Sequence, residues 1–309
     1  MSILSAVALF VACVVALWLF AERLVDSAGR IAKRFGVSDL VVGLTIVAIG
    51  TSAPEFAVTV VAAVEGRGNI SVGNVAGSNI FNLGFILGGV ALWRGLSTSR
   101  TLVYRDGGLL LLSTLALVLF AADGSVTRTE GAVLILSLIG YVALLMVRRE
   151  APDVDLPGAS ATWRDAIVLP VSISALVFAA HYLVVAASTL AGAMGVSDWV
   201  IGVTVVAAGT SAPEIVVAVA ALLKKRDALS AGSLIGSDIF NVLGVLGVAA
   251  LATPLAVSSE SLPSLMLLSS LVIVVLVMMR TGWRLSRLEG AVLVMIAAAR
   301  WVYDFTGGA

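Results

Sequence analysis

Charge is scarce in this chain, and so are cysteine and histidine. Asp, Glu, Lys and Arg make up 12% of the 309 residues, against 60% hydrophobic. A soluble domain carries about 25% charged residues, so the composition excludes a water-soluble globule and indicates a polytopic membrane protein. The 19 basic and 19 acidic residues cancel, which removes the basic excess that a nucleic-acid partner requires. A single cysteine, Cys13, rules out an intrachain disulfide, and the lone histidine, His181, leaves no His/Cys set for a soft metal. Cys13 reads as a small buried hydrophobe and His181 as polar lining. There is no phosphate-binding loop and no nucleophile–base pair, so neither an ATP-driven pump nor an enzyme is expected, and no cofactor is implied. The first twenty residues have no positive leader and no clear cleavage site. They read as a first membrane helix, not a signal peptide.

What the chain does have is an internal duplication. Gly50-Thr51-Ser52-Ala53-Pro54-Glu55 recurs as Gly209-Thr210-Ser211-Ala212-Pro213-Glu214, an offset of 159 positions. At the same offset Gly36-Val37-Ser38-Asp39 matches Gly195-Val196-Ser197-Asp198, and Gly77-Ser78-Asn79-Ile80-Phe81-Asn82 matches Gly236-Ser237-Asp238-Ile239-Phe240-Asn241. The matched stretches are polar islands inside apolar segments, where shared greasiness cannot produce them. Repeats this long exceed solenoid units and fit the halves of a secondary transporter. Apolar runs of membrane-spanning length fall near 3–25, 39–64, 70–93, 107–122 and 130–147, then near 166–191, 198–223, 229–252, 263–279 and 288–305. The expected fold is therefore all-α, with ten transmembrane helices in two inverted five-helix repeats, 1–148 and 166–309, joined by a polar cytoplasmic linker at 149–165.

Basic residues set the orientation. Sixteen of them, among them Arg30, Lys33, Arg34, Arg148, Lys224, Lys225 and Arg226, fall on one side; only Arg67, Arg128 and Arg300 fall on the other. Both termini are expected outside. A half with an odd number of spans inserts its duplicate upside down, and the charges agree: Lys224 and Lys225 correspond to Glu65 and Gly66. Lys224, Lys225 and Arg226 read as topology charges, with lipid headgroups a secondary role. Asp26 and Asp106 read as solvated at membrane edges, and Trp93, Trp163, Trp199, Trp283 and Trp301 as interfacial anchors.

Glu55 and Glu214 lie in the middle of apolar spans. An ionised carboxylate there costs several kcal/mol and marks a functional site by default. Each follows Gly-Thr-Ser-Ala-Pro. Proline lacks an amide donor and glycine loosens the chain, so helices 2 and 7 are expected to break and to free carbonyls near Ala48 and Ala207. Broken backbone at membrane depth survives only where protein or a cavity satisfies it. Carbonyls, the hydroxyls of Thr51, Ser52, Thr210 and Ser211, and a carboxylate make an all-oxygen cluster, the set preferred by hard cations such as Ca2+ and Na+. Inversion brings the two islands together at the midplane. Two carboxylates match one divalent ion, and competition for one charge-limited site gives exchange rather than co-transport. Ser78 and Asn82 share a helical face, as do Ser237 and Asn241. Asn79 and Asp238 point about 100° away; Asn79 reads as structural, while Asp238 could bind an ion, carry a proton or serve structure.

With these motifs on view, the chain resembles the Na+/Ca2+ exchanger family of the Ca2+/cation antiporter superfamily, in its compact prokaryotic form, over essentially its whole length. The resemblance implies ten helices in two inverted repeats, with the first helix of each sliding against a core of the others. It implies that Glu55 and Glu214 bind Ca2+ and Na+ alternately, with Thr51, Ser52, Thr210 and Ser211 adding oxygens, Ser78 and Ser237 lining outer Na+ sites, Asn82 and Asn241 completing the centre, and Ala48 and Ala207 giving carbonyls. Family members often carry an acid at the position of Asn241 with an amide three residues earlier; here Asp238 is the acid and Asn241 the amide. The implied partners are Ca2+ and Na+ as transported substrates and the lipids of a prokaryotic plasma membrane, with no obligatory protein partner. Three alternatives stay open: H+-coupled exchange of Ca2+ or Mn2+, because a carboxylate in a low dielectric holds a proton more readily; K+-dependent Na+/Ca2+ exchange; and, from another class, a passive cation channel.

Overall fold

A computed structural model describes residues 2–148, 161–194, 207–258 and 261–305. The expected linker 149–160, the start of the seventh run at 198–206, and Asp198 and Trp199 lie outside the described residues.

The chain is almost wholly helical. The helices are α1 (Ile3–Phe35), α2 (Asp39–Thr51), α3 (Ala53–Val64), α4 (Gly68–Arg94), α5 (Leu102–Ala121), α6 (Arg128–Val147) and α7 (Asp165–Ala193). They continue with α8 (Ala207–Thr210), α9 (Ala212–Leu223), α10 (Asp227–Ala252), α11 (Leu262–Trp283) and α12 (Arg287–Phe305). Among the described residues seven are long and apolar enough to cross a membrane, and α2 with α3 makes an eighth span bent by 52°. The other two expected spans correspond to α9, whose preceding residues are partly undescribed, and to α12, which carries Arg287, Glu289, Arg300 and Asp304 along 19 residues.

Local chemistry sets the ends. Ser2 caps α1 by accepting from the Ser5 amide, and Gly36, at φ 63°, closes it in the left-handed region with Lys33 and Arg34 in the last turn. Thr127 and Glu130 form a reciprocal capping box on α6, and Ser286 and Glu289, their mates at the 159 offset, make the same contacts on α12. Four two-residue strands tie loops together: β1 (Leu96–Ser97) pairs antiparallel with β4 (Arg284–Leu285), and β2 (Ser125–Val126) with β3 (Leu255–Ala256). By the same offset β1 corresponds to β3 and β2 to β4, so the two ladders exchange roles between halves.

Apolar packing divides into two clusters. The larger runs through α4, α5, α6, α10 and α11, with Leu83, Leu110, Leu134, Leu246 and Leu268 fully buried. The smaller joins α1 and α7, which pack along each other, to α9 through Leu24, Ala28, Leu176, Val217 and Ala221. At 33 residues α1 is about 50 Å long, well beyond the roughly 30 Å hydrocarbon layer.

Two edge charges correct the sequence expectation. Asp106 is not solvated: it is fully buried, taking hydrogen bonds from Arg105 Nε (2.6 Å) and the Tyr141 hydroxyl (2.9 Å). Arg226 is no surface charge. Its guanidinium forks onto Asp39, with Nε to Oδ2 at 2.7 Å and Nη2 to Oδ1 at 2.5 Å, and Nη1 donates to the Val25 carbonyl. A side chain at Gly29 would collide with that guanidinium. Arg226 thus fastens the start of α10 to α1 and α2, a long-range pairing that charge counting does not reveal.

Candidate cation site

Both breaks form where proline removes an amide. Ser52 (φ −77°, ψ 9°) and Ser211 (φ −85°, ψ 8°) depart from helical geometry in the same way, each followed by proline in the first turn of the next helix. Glu55 and Glu214 therefore sit in the first turns of α3 and α9, where the positive end of the helix favours a carboxylate. That end contributes up to about 2 kcal/mol, less than the several kcal/mol that burying an unpaired charge costs. Both glutamates are almost fully buried. Neither belongs to an ion pair among the described residues.

The two islands interlock. Ser52 donates to Glu214 Oε1 and Ser211 donates to Glu55 Oε1, each at 3.4 Å. Each glutamate thus receives the serine of the other half, and its second oxygen, Oε2, is buried with no hydrogen-bond partner among the described residues. The second islands interlock too. Asn82 Nδ2 donates to Asp238 Oδ1 (2.9 Å), and Asn241 Nδ2 to Asn79 Oδ1 (3.0 Å). Asn82 Oδ1, Asn241 Oδ1 and Asp238 Oδ2 are buried without a donor among the described residues. All five unpartnered atoms in this region are oxygens. Buried polar atoms are normally satisfied, and a group of oxygens lacking donors is the arrangement a cation satisfies. Among the described residues no three of His, Cys, Asp and Glu group as ligands of one metal ion.

π-helical turns accompany the second islands. One spans Asn82–Leu87 in α4 and one Phe240–Val245 in α10; among the described residues two more lie at Gly43–Val47 in α2 and at Leu102–Asp106 in α5. Such turns disrupt the regular amide ladder and recur at functional sites. The hydrophobic pattern of the sequence contains no signal for them.

The remaining expected ligands divide. Thr51 is buried, donating to the Val47 and Ala48 carbonyls (3.1 and 3.3 Å) and sharing a 3.3 Å hydrogen bond with Ser237. Ser237 Oγ also reaches the Ala48 carbonyl at 3.4 Å. The Ala48 carbonyl is therefore not free: it accepts from the Ser52 amide (3.1 Å) as well as these hydroxyls. Proline leaves unpaired the carbonyl four residues back, which for Pro54 is Gly50. Ser78 donates to Val75 of its own helix (3.2 Å). Ala207 opens α8, and Thr210 lines a cavity of about 620 Å³ with Ala53, Pro54, Val58 and His181. Thr51 and Thr210, equivalent in sequence, thus differ: one is sealed under Ser237 and the other faces open space.

One contact was not anticipated. Asn74 Nδ2 donates to Thr59 Oγ1 (2.9 Å) and to the Glu55 carbonyl (3.4 Å), bracing the turn that holds Glu55. Its mate at the offset is Ser233, which bonds within its own helix to Ser230, so the duplication gave no pointer to it.

Known proteins resemble this chain along most of its length. The family model for sodium/calcium exchanger protein matches residues 5–147 and 165–303. A putative antiporter, CaxA, of Alkalimonas amylolytica is 34% identical across 95% of this chain and 96% of its own. The sodium/calcium exchanger MaX1 of Methanosarcina acetivorans is 34% identical across 92% of this chain and 94% of its own. The solved structure of the sodium-calcium exchanger NCX_Mj superposes with a TM-score of 0.85 at 27% identity, covering 96% of this chain and 98% of that one. With seven or eight apolar spans and two family-model matches along its length, the chain is an integral membrane protein that belongs to the sodium/calcium exchanger family.

Proposed function

We propose that the protein is a secondary antiporter that exchanges Ca2+ for Na+ at the Glu55–Glu214 site by alternating access. The observation that carries this reading is a group of four oxygens, from Glu55, Asn82, Glu214 and Asn241, that are buried with no donor among the described residues. Two buried carboxylates repel each other until cations neutralise them. One Ca2+ or two Na+ supply the same charge, so the ions compete and occupancy by one displaces the other. Ser52, Ser211, Thr51 and Ser237 contribute hydroxyl oxygens in this reading; Ser78, Thr210 and the Ala48 and Ala207 carbonyls complete the set as the cluster rearranges.

The unequal surroundings of Thr51 and Thr210 support one-sided access: the cavity reaches Pro54 and Thr210, while Thr51 is covered. The exchanged roles of the two strand ladders support ten helices in two inverted repeats, 1–148 and 166–309, with the α1–α7 pair as the moving part against the larger apolar cluster. Basic-residue placement supports external termini. Moving one net charge through 100 mV is worth about 2.3 kcal/mol, so an exchange of three Na+ for one Ca2+ gains drive from the membrane potential and an exchange of two does not.

The test is 45Ca2+ uptake into proteoliposomes loaded with Na+, K+ or a proton gradient. Uptake driven by internal Na+ and abolished by Glu55→Gln and by Glu214→Gln is the expected result. Uptake driven by the pH gradient and indifferent to Na+ would make the protein an H+-coupled exchanger, dependence on both Na+ and K+ a K+-dependent one, and flux without any counter-ion a channel.

A further inference from the structure

Asn82 and Asn241 each keep a carboxamide oxygen buried with no donor among the described residues, and an amide can point either end inward. What decides its direction is the partner of its nitrogen. Asn82 Nδ2 is committed to Asp238 Oδ1 at 2.9 Å, and Asn241 Nδ2 to Asn79 Oδ1 at 3.0 Å. In both cases the amide oxygen is left buried without a donor. Because an amide has one oxygen and one NH2, fixing the nitrogen outward fixes the oxygen inward. Asn79 and Asp238 are themselves fully buried and equivalent at the 159 offset, so each half orients the amide of the other.

We propose that Asp238 and Asn79 are positioning residues that hold the Asn82 and Asn241 amides oxygen-inward toward the transported cation, and that Asp238 does so as a hydrogen-bond acceptor rather than as a ligand. This rests on the cation-site reading of Glu55 and Glu214. Three observations favour it over direct coordination by Asp238. Its Oδ1 is occupied by the Asn82 amide, which leaves Oδ2 alone open to a cation and rules out the two-oxygen grip a free carboxylate could give. Among the described residues it does not group with the two glutamates as ligands of one metal ion. Its counterpart, Asn79, does the same work with a neutral oxygen, so the charge is not what the position needs. Asn79 also donates to the Asp238 backbone carbonyl at 3.1 Å, tying α4 to α10. Loss of the acceptor frees the amide to rotate and aim NH2 at a cation, replacing attraction by repulsion.

The experiment measures the KM for Ca2+ and the maximal rate in Na+-loaded proteoliposomes for Asp238→Leu, Asp238→Asn and Asn79→Leu, with Glu214→Gln alongside. Removing partners that orient ligands costs about 10- to 100-fold in metal affinity, so Asp238→Leu and Asn79→Leu should raise KM by at least about tenfold, while Asp238→Asn, which keeps an acceptor for Asn82, should raise it by less than about threefold. Asp238→Asn raising KM as far as Asp238→Leu would show that the charge itself binds the ion and would overturn the assignment. Unchanged KM with a lower maximal rate in both leucine variants would reduce the role to packing and would overturn it equally. Should Asp238→Leu fail to assemble, Asn79→Leu and Asp238→Asn decide by the same criteria. Glu214→Gln separates the two claims: wild-type uptake there removes the site itself, whereas its loss together with an adverse Asp238 result removes only the positioning role.

Discussion

At the scale of single residues, the fold contains buried charges of two kinds. Glu55 and Glu214 are buried without a basic partner among the described residues, and Asp39 and Arg226 are buried as a fork-to-fork pair. The first arrangement calls for a mobile cation and the second supplies its own. Breaking a buried pair by removing one partner costs about 3–5 kcal/mol, whereas replacing both by apolar residues of similar volume is often neutral. Arg226→Met should therefore lower the melting temperature in detergent sharply, because the buried Asp39 loses its guanidinium and the Val25 carbonyl loses a donor. Combining it with Asp39→Leu should recover most of the loss, and a double variant no more stable than Arg226→Met would show that the pair is held by something other than its own charges. The glutamates and their hydroxyl neighbours were legible in the sequence because duplication marks them twice. Arg226 was not, because a basic residue next to Lys224 and Lys225 reads as a loop charge until the fold brings Asp39 and Val25 to it from far along the chain. Asn74 was hidden for the opposite reason: its contact with Glu55 is local to one half and has no duplicate.

At the scale of elements, the breaks and the close crossings position the site. The break between α2 and α3 was legible, since Gly50 and Pro54 leave little choice, but its consequence was misplaced: the Ala48 carbonyl finds three donors once Ser237 comes alongside. That approach depends on Gly236. A methyl group there would come within 2.6 Å of Leu44 Cα and 2.9 Å of Ala48 Cβ. Overpacking typically costs about 1–3 kcal/mol, and here it would push α10 away from the turn that carries Thr51. Gly236→Ala should lower thermal stability by that order and lower uptake, because Ser237 loses its reach to Thr51 and Ala48. A variant with unchanged melting and transport would mean that α2 can retreat without cost. The π-turns beginning at Asn82 and Phe240 belong to this scale as well. Hydrophobic periodicity is too coarse to resolve one extra residue in a turn, so the sequence locates the islands without revealing how the helix opens around them.

At the scale of the whole molecule, the most informative features are symmetries that composition alone cannot express. The ladders β1–β4 and β2–β3 are built from equivalent residues with their roles exchanged, and the reciprocal hydrogen bonds Ser52–Glu214 and Ser211–Glu55 repeat that exchange at the centre. The repeat was legible because its polar islands stand out from an apolar background; the packing of α1 along α7 apart from the larger cluster was anticipated only through the family resemblance, since both are greasy throughout. Inversion makes a definite demand on topology. If the second half is upside down, equivalent loops lie on opposite sides, and the sixteen-to-three division of basic residues places Ser2 outside and the loop after α6 inside. Cys13 is buried, and its mate at the offset is Ser172, so Cys13→Ser imitates the other half and provides a background free of thiols. In that background Ser2→Cys should react with a membrane-impermeant maleimide in intact cells, and Arg148→Cys, at an exposed position beyond α6, should react only after permeabilisation. Labelling of Arg148→Cys from outside with Ser2→Cys protected would reverse the orientation, and labelling of both from one side would remove the odd number of spans on which inversion of the repeats depends.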